Sequence, residues 1–424
     1  MKEVKNKPSK LFFLLLIVFI SLNIGKHFEM RDSYVWGILT DYLVPVIYIQ
    51  DILIIAILFS WFIEDIKLLK RDSVLRITNN RFFQVAVLFV FSSFFACLNS
   101  SRPIPSLTIF IRMLLYILLS LYISLKISIK EYFPRILKIM SFTVIFLSIV
   151  GISQYIKQGA LFNNYLFFGE QPYSKCTWGI SKETVLGVSR IPSYGFFRHP
   201  NIFGGFLSIV LIWLLSSFKK KLIFKIAFVF GVVSLLLTFS YSSYVAFLLG
   251  IVFLYLLNQA YRITGIRKYL LIFFIFFIFC LNFLILVFST SNNPSWYRRS
   301  SLLYTSGDII KDNLLYGVGQ GNFVVYGKDL YFNQPVHNVF ALIFSEQGIF
   351  TFLFFLILIF LILKKFLNDK NEVLIYVSFF QVLFLMFLDH YFWTIHQTNL
   401  LFWILFGFIM QLDFKQSKEF LEKD

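Results

Sequence analysis

Residues 338–363, which read NVFALIFSEQGIFTFLFFLILIFLIL, decide the fold of this chain. Glu346 is the only charged residue in this stretch. As a helix, the stretch is longer than the roughly 20 residues that cross about 30 Å of bilayer hydrocarbon. Backbone groups in hydrocarbon must form their hydrogen bonds within the segment, which selects a helix. The stretch therefore predicts a membrane-spanning helix.

Eleven further apolar runs repeat this pattern. They cover residues 11–24, 44–63, 83–98, 106–125, 137–156, 200–218, 222–238, 242–258, 268–289, 372–388 and 392–411. Hydrophobic residues make up 58% of the chain, above the roughly 45–50% of soluble domains, and mean hydropathy is +0.77. We therefore predict an all-α integral membrane protein, with about twelve transmembrane helices in a single polytopic domain over residues 1–424.

The net charge of +17 indicates membrane topology rather than nucleic-acid binding. Lys and Arg cluster in alternate connections between apolar runs, for example at residues 67–81 and 219–225, and the intervening short connections are nearly free of them. Basic residues in short connections stay on the cytoplasmic side. The pattern predicts a multi-pass protein of the cytoplasmic (inner) membrane, with both termini cytoplasmic. Two large extracytoplasmic loops are expected, at residues 157–199 and 291–336.

Polar residues concentrate in two stretches that reach the same membrane face. The first is RIPSYGFFRHPN at residues 190–201, and the second extends from Tyr297 to Asn338. Arg190, Arg198 and Arg299 offer planar, permanently charged donors that suit phosphate oxygens. His337 offers a base that titrates near neutral pH. Together these residues predict a site for a phosphorylated ligand at the outer interface.

Each of these features also has a structural interpretation. Arginines beside helices commonly anchor at the level of the lipid headgroups. His199 and Asn201 flank Pro200 and are typical of residues that cap a helix. Three glycines, Gly317, Gly319 and Gly321, could form an anion-binding nest of N–H groups, although glycines in loops more often mark turns.

Two charged residues lie inside predicted spans. Asp51 and Arg112 each lie about seven residues from the outer end of their helix, where an unpaired charge costs roughly 2.5–3.5 kcal/mol. Their equal depth predicts an ion pair. In the alternative interpretation Arg112 faces a cavity and binds an anionic lipid.

At these residues the sequence resembles the O-antigen ligase and polymerase superfamily of bacterial glycan assembly. The resemblance rests on three elements: Arg190 with GFFRHPN at residues 195–201 and Gly204; Arg299 followed by Gly317-Val318-Gly319; and His337-Asn338 followed by Gly348. It implies a GT-C-like arrangement of helices, with a short amphipathic helix in the 291–336 loop.

The resemblance also implies an activity. The resemblance implies an inverting glycosyltransferase that uses a polyprenyl-diphosphate-linked oligosaccharide as donor and needs no metal and no cofactor. His337 would be the catalytic base. The candidate residues for binding the diphosphate or glycan are Arg190, Arg198, Arg299, His199, Asn201, Asn338 and Arg112. Tyr194, Tyr297 and Tyr326 are candidates for stacking on sugar rings.

The acceptor distinguishes the remaining alternatives. A lipid core, as in lipopolysaccharide, makes the protein a ligase, a second lipid-linked repeat unit makes it a polymerase, and a protein hydroxyl makes it an O-glycosyltransferase. The region from Arg299 to His337 fits the ligase branch best. A lipid or polysaccharide transporter or flippase could use the same arginines without breaking a bond, but transporters usually place charges or broken helices near the midplane. A structural membrane scaffold is a further alternative, and a soluble nucleic-acid binder is excluded by hydropathy.

Overall fold

The computed structural model describes residues 7–65, 77–259, 265–287, 294–327, 333–368 and 372–421. Within these ranges the chain is mainly helical. The helices are α1 (Pro8–Phe19), α2 (Ile49–Asp65), α3 (Arg81–Leu98), α4 (Pro103–Lys126), α5 (Ile129–Lys157), α6 (Pro200–Ser216), α7 (Leu222–Leu237), α8 (Tyr241–Asn258), α9 (Ile266–Val287), α10 (Pro294–Asp312), α11 (Val339–Asn368), α12 (Val373–Leu388), the single turn α13 (Tyr391–Thr394) and α14 (His396–Leu421).

Eleven of the predicted apolar runs overlap one helix each, the run 392–411 overlaps both α13 and α14, and α10 is additional to the runs. Among the described residues, five helices are long and apolar enough to cross a membrane, namely α3, α4, α5, α8 and α11. Four others, α1, α6, α7 and α12, are apolar but have 10–17 residues. The all-α membrane class is thus supported by the structure, and the count of twelve spans stays a prediction.

Helix packing buries polar side chains that join neighbouring helices. Gln381 of α12 donates from Nε2 to the carbonyls of Ser208 in α6, at 2.9 Å, and Ala246 in α8, at 3.0 Å. Gly250 makes room for it, because a Cβ there would lie 2.5 Å from the Gln381 amide nitrogen. Small residues at helix contacts and buried amides that bridge helices are typical of packing in membranes.

Helix α11 is broken at Gly348, which has φ 72° and ψ −178°. The loop before α11 occupies the break: Val318 N–H donates to Ser345 O at 3.1 Å, Gly319 N–H donates to Glu346 O at 2.8 Å, and Ile349 N–H donates to Leu314 O at 2.9 Å. These bonds satisfy backbone groups that the break would otherwise leave unpaired. The loop and the part of α11 that precedes Gly348 therefore form one unit.

Residues 25–48, between α1 and α2, form a small cap that the apolar pattern does not predict. Strand β1 (Gly25–His27) pairs antiparallel with β4 (Val46–Tyr48), and β2 (Tyr34–Val35) pairs with β3 (Ile38–Leu39). Arg102, just before α4, forms a 3.6 Å ion pair with Asp32 of this cap. The cap is thus tied to the helix bundle.

The segment between α5 and α6 is organised by one buried carboxylate. Glu170 accepts hydrogen bonds from the amides of Leu161 (2.8 Å), Phe162 (2.6 Å) and Asn163 (3.0 Å), and from Gln154 Nε2 at 2.7 Å. Strands β5 (Glu183–Val185) and β6 (Val188–Arg190) form a hairpin in the same segment. We call residues 158–199 the Glu170 loop.

Candidate functional site

His337 lies just before α11 and contacts the connection between α12 and α13. Its Nδ1 is 3.1 Å from Oδ1 of Asp389, and both side chains are largely buried. The other ring nitrogen, Nε2, is buried and has no hydrogen-bond partner in the described part of the chain. An ionised carboxylate only accepts hydrogen bonds, so Asp389 places the proton on Nδ1 and leaves Nε2 as the basic nitrogen.

Asp389 is held in its ionised form. Burial acts to raise the pKa of Asp389, but the charge and hydrogen bond of His337, with the charges of His390 and Arg299, hold this pKa well below its usual range. The His390 backbone N–H also donates to Asp389 Oδ1 at 2.8 Å. A carboxylate that stays ionised can both orient His337 and stabilise its protonated form.

Two further histidines adjoin this pair and are neutral at pH 7. Burial lowers the pKa of His390 to about 3 and that of His199 to about 4. The rings of His390 and His337 are 5.2 Å apart, and His390 Nδ1 is 2.8 Å from Thr394 Oγ1. We call His337, Asp389, His390 and His199 the histidine cluster.

Arg298 and Arg299, on α10, bring positive charge to the cluster. Arg299 donates from Nη1 to the carbonyl of Leu388, the residue before Asp389. The pKa of Arg298 is lowered, first by burial and then by the neighbouring charge of Arg299, and Asp389 opposes this only in part. Two adjacent guanidinium groups favour an anionic ligand.

Three predicted binding residues have structural roles at helix starts. His199 is the N-cap of α6, because its Nδ1 accepts the Asn201 N–H at 3.1 Å. Asn338 precedes α11, where its Oδ1 accepts the Ala341 N–H at 3.0 Å and its Nδ2 donates to Phe387 O at 3.2 Å. The His199 contact fits the predicted capping role of that residue, Asn201 lies in the first turn of α6, and Asn338 caps α11, which the sequence did not predict.

Arg112 and Arg198 lie together beside a cavity. Arg112 forms a 3.2 Å ion pair with Asp51, as their equal depth predicts, and its guanidinium lies 4.9 Å from the Tyr48 ring centroid. Arg198 lies 3.4 Å from the Tyr48 hydroxyl and 3.8 Å from Asp41 Oδ2. The ion-pair prediction for Arg112 is therefore confirmed, although its side chain still reaches the cavity.

The cavity measures about 90 Å³ and is bounded by α4, the break in α11, the start of α14 and the 25–48 cap. Its walls include both arginines with Glu346, Tyr42 and Trp393. We call it the Glu346 cavity. The Tyr42 ring meets the His390 ring at 5.5 Å, and Thr394 both lines the cavity and contacts His390. The cavity and the histidine cluster therefore adjoin.

Arg190 is separate from these groups. It ends β6 on the β5–β6 hairpin, opposite Glu183, and it is not among the residues that line the Glu346 cavity. Tyr194 is 2% exposed, packs against Tyr173 at 4.8 Å and contacts the Ser181 amide through its hydroxyl. It cannot stack on a sugar in this position, so that prediction is wrong because the Glu170 loop buries the ring.

The three glycines form turns rather than an open nest. Gly317, Gly319 and Gly321 have φ values of 66°, 91° and 77°. The Gly319 N–H is used by the broken helix, and the Glu346 carboxylate accepts the Phe323 N–H at 3.1 Å and faces the Gly321 amide. The protein's own carboxylate thus occupies the position that an external anion would take.

One set of side chains in the described ranges has donor atoms near enough to hold a metal ion. His337, Asp389 and His390 offer atoms within 4.8 Å of one another. Arg298 and Arg299 act on the same carboxylate electrostatically, and their positive charge opposes a divalent cation. The prediction of a metal-free site stays a prediction.

Sequence reasoning missed several members of this site. Asp389 and His390 belong to a connection whose only apparent feature is the absence of basic residues, and Tyr42 belongs to a cap without an apolar pattern. The place of these acidic and aromatic residues in the site depends on tertiary contacts with residues distant in the sequence. Arg298 was recognisable only as the neighbour of Arg299.

Comparison with known families gives a match over part of the chain. Residues 226–356 match the family model Wzy_C, described as O-antigen ligase. This range includes Arg299, His337 and Glu346, while Arg198 precedes it. No curated protein matches the chain. The family supports an enzyme of the ligase or polymerase type that acts in glycan assembly at a membrane. The match covers less than half of the chain, and it supports the O-antigen ligase and polymerase superfamily that the sequence motifs predict.

Proposed function

We propose that the protein transfers a glycan from a polyprenyl-diphosphate carrier to an acceptor hydroxyl at the outer face of the cytoplasmic membrane, as an O-antigen ligase. The observation that carries the proposal is the 3.1 Å contact between His337 Nδ1 and Asp389 Oδ1, which leaves Nε2 as a base beside two arginines. This arrangement suits proton removal next to an anionic leaving group.

The attacking step uses His337. The acceptor hydroxyl gives its proton to Nε2 as its oxygen forms a bond to the anomeric carbon. The developing imidazolium is stabilised by Asp389, whose pKa is held low by its contact with His337. A single displacement from the face opposite the leaving group inverts the configuration at the anomeric carbon.

The leaving group departs as an anion. When the bond between the anomeric carbon and the diphosphate oxygen breaks, its electron pair goes to the diphosphate. Arg298 and Arg299 offer charged donors beside the histidine cluster, and such donors stabilise developing charge more strongly where water is excluded. No metal or cofactor is required in this scheme.

A polymerase would use the same chemistry with a different acceptor, and a protein O-glycosyltransferase would use a protein hydroxyl. The match of residues 226–356 supports a function of the ligase or polymerase type and does not distinguish the two. A transporter or flippase is the alternative from another class. A transporter would place charged groups along a pathway through the membrane. The Arg112–Asp51 pair does lie within the helices, but Arg298 and Arg299 of α10 lie near the proposed base and its carboxylate partner.

The test compares glycan transfer and carrier release in reconstituted protein. Wild type, His337→Ala and Arg299→Lys are incubated with a polyprenyl-diphosphate oligosaccharide and, separately, with lipid-core, lipid-linked and peptide acceptors. We expect wild type to transfer to one acceptor and His337→Ala to lose about 10²–10⁴-fold in rate. Arg299→Lys keeps the charge but loses the planar fork, so a smaller loss is expected. Normal transfer by His337→Ala would remove the proposed base.

Chelation tests the metal-free scheme. Because the proposed step runs through His337 and arginine side chains, EDTA should leave the transfer rate unchanged. Loss of transfer on chelation, restored by a divalent cation, would instead point to a metal held by His337, Asp389 and His390. Movement of the lipid between leaflets without transfer to any acceptor would favour the flippase.

A further inference from the structure

The Glu346 cavity contains a buried carboxyl group that can accept more hydrogen bonds than the protein donates to it. The contacts of the Glu346 carboxylate are with the backbone amides of Phe323, at 3.1 Å, and Gly321. A carboxylate offers about four lone-pair positions for hydrogen bonds. Glu346 is 4% exposed and lines the cavity, so its remaining capacity is directed to a bound molecule rather than to bulk water.

The other walls supply flat apolar faces and hydroxyl-binding groups. Tyr42, Tyr48 and Trp393 line the cavity, and aromatic rings pack against the C–H face of a sugar while polar groups at the rim bind its hydroxyls. Arg198 contributes N–H donors: besides a 3.2 Å contact with His27 Nε2, its contacts with Tyr48 (3.4 Å) and Asp41 (3.8 Å) are long, and a guanidinium has five N–H groups. This combination suits a compact, flat ligand with several hydroxyl groups.

The charges of the cavity favour an uncharged ligand. Arg112 is already paired with Asp51 at 3.2 Å, and Arg198 lies near Asp41. Glu346 adds a carboxyl group to the lining of the same cavity. An acidic sugar would bring a second carboxylate towards Glu346, which costs energy in a site with little water.

The cavity also lies beside the proposed reaction centre. Tyr42 lines it and meets the His390 ring at 5.5 Å, and the His390 ring is 5.2 Å from the ring of His337. A molecule in the cavity is therefore next to the residues that would act on a glycosidic linkage.

We propose that the Glu346 cavity is a subsite for one neutral pyranose unit of the glycan substrate, with the Glu346 carboxyl accepting hydrogen bonds from its hydroxyls. The assignment rests on the proposed function for the identity of the substrate, but sugar binding can be measured without transfer. Glu346 is here a specificity residue, distinct from the base His337.

Saturation-transfer NMR on the full chain in nanodiscs tests the assignment. The probes are the methyl glycosides of glucose, galactose, N-acetylglucosamine and glucuronic acid. We expect saturation of at least one neutral sugar and weaker saturation of the acidic one. Glu346→Gln keeps the size of the side chain and should weaken binding about tenfold or more, because it replaces one acceptor oxygen by an N–H donor. His337→Ala and the control Glu170→Gln should retain binding.

Thr108→Phe provides a second variant, because Thr108 lines the cavity from a part-exposed position on α4 and a larger side chain fills the space. Glu346→Gln, Thr108→Phe and His337→Ala are first checked for wild-type thermal unfolding, and Glu170→Gln is measured at a temperature where it is folded. Absence of saturation in wild type overturns the subsite, whatever the transfer activity. Equal binding by wild type, Glu346→Gln and Thr108→Phe overturns it as well. Sugar binding that both variants lose, in a wild type that transfers no glycan, supports the subsite and contradicts the proposed function instead.

Discussion

The Glu170 loop and the histidine cluster are each built around a buried carboxylate, and the partners of the two carboxylates differ. Glu170 accepts three backbone amides and the Gln154 side chain, so its oxygens are used in holding the chain. Asp389 instead contacts a histidine whose second nitrogen has no partner in the described ranges. A carboxylate bonded to amides fixes a loop. A carboxylate bonded to a titratable ring fixes the direction of a proton transfer.

The largest effect is expected from neutralising the carboxylate of the histidine cluster. Asp389→Asn keeps the shape of the side chain but no longer selects the Nδ1–H form of His337 or stabilises its protonated form. We expect transfer per folded molecule to fall about 10²–10⁴-fold. The unfolding midpoint should fall as well, because the contacts that hold the pKa of Asp389 low stabilise the ionised carboxylate in the folded state. The measurement is the transfer rate with saturating donor. If Asp389→Asn transfers as well as wild type, then the two carboxylates do not differ in function.

Glu170→Gln should have a smaller effect than Asp389→Asn, and the effect should be on stability rather than on the transfer rate. The amide side chain can accept fewer of the bonds from Leu161, Phe162 and Asn163, and it leaves one buried donor unsatisfied. We expect a loss of about 1–3 kcal/mol in the free energy of unfolding, measured by denaturation in detergent, while the folded fraction retains its turnover. A normal stability with reduced turnover would reverse the roles assigned to the two regions.

The smallest effect concerns pH. The folded state holds His199 and His390 with pKa values of about 4 and about 3, below the ordinary value of 6.5. As pH falls below 6.5, the unfolded chain binds protons that the folded chain does not, so stability is greatest above this value and decreases on acidification. We expect a lower unfolding midpoint at about pH 5 than at about pH 7.5.

His199→Asn sharpens the pH measurement. Asparagine is among the residues preferred at helix N-caps, and its side chain does not titrate. The variant therefore keeps a cap on α6 while one source of the pH dependence is removed. The unfolding midpoint of the variant should vary less with pH than that of wild type. An equal pH dependence in both proteins would assign the effect to groups outside the histidine cluster.

The helices could be predicted from sequence because a long apolar run is a local feature, which can be identified without knowing what the helix packs against. The Asp51–Arg112 pair was also predictable, since the cost of a charge in hydrocarbon forces two charges at equal depth together. The residues around His337 were not. Asp389 follows a helix by one residue and Tyr42 belongs to a short hairpin cap, and no local pattern connects either of them with a histidine far away in the chain.

Glycines illustrate the same limit. The sequence indicates that Gly317 and Gly348 are both unusual for their surroundings, but it cannot show that they face each other. A Cβ on Gly317 would lie 2.3 Å from the Glu346 carbonyl carbon, and one on Gly348 would lie 2.2 Å from Leu315 O. Their requirement for glycine comes from this close backbone approach, which only the folded chain reveals.

The break in α11 also has a consequence for biosynthesis. The segment that serves its open carbonyls, residues 314–319, precedes α11 in the chain and so leaves the ribosome first. When Ser345 and Glu346 are synthesised, the Val318 and Gly319 N–H groups that bond their carbonyls are already present in the chain. The helix can therefore break at Gly348 without leaving these carbonyls unpaired until a later segment is made. The order of synthesis thus matches the order in which the broken helix needs its parts.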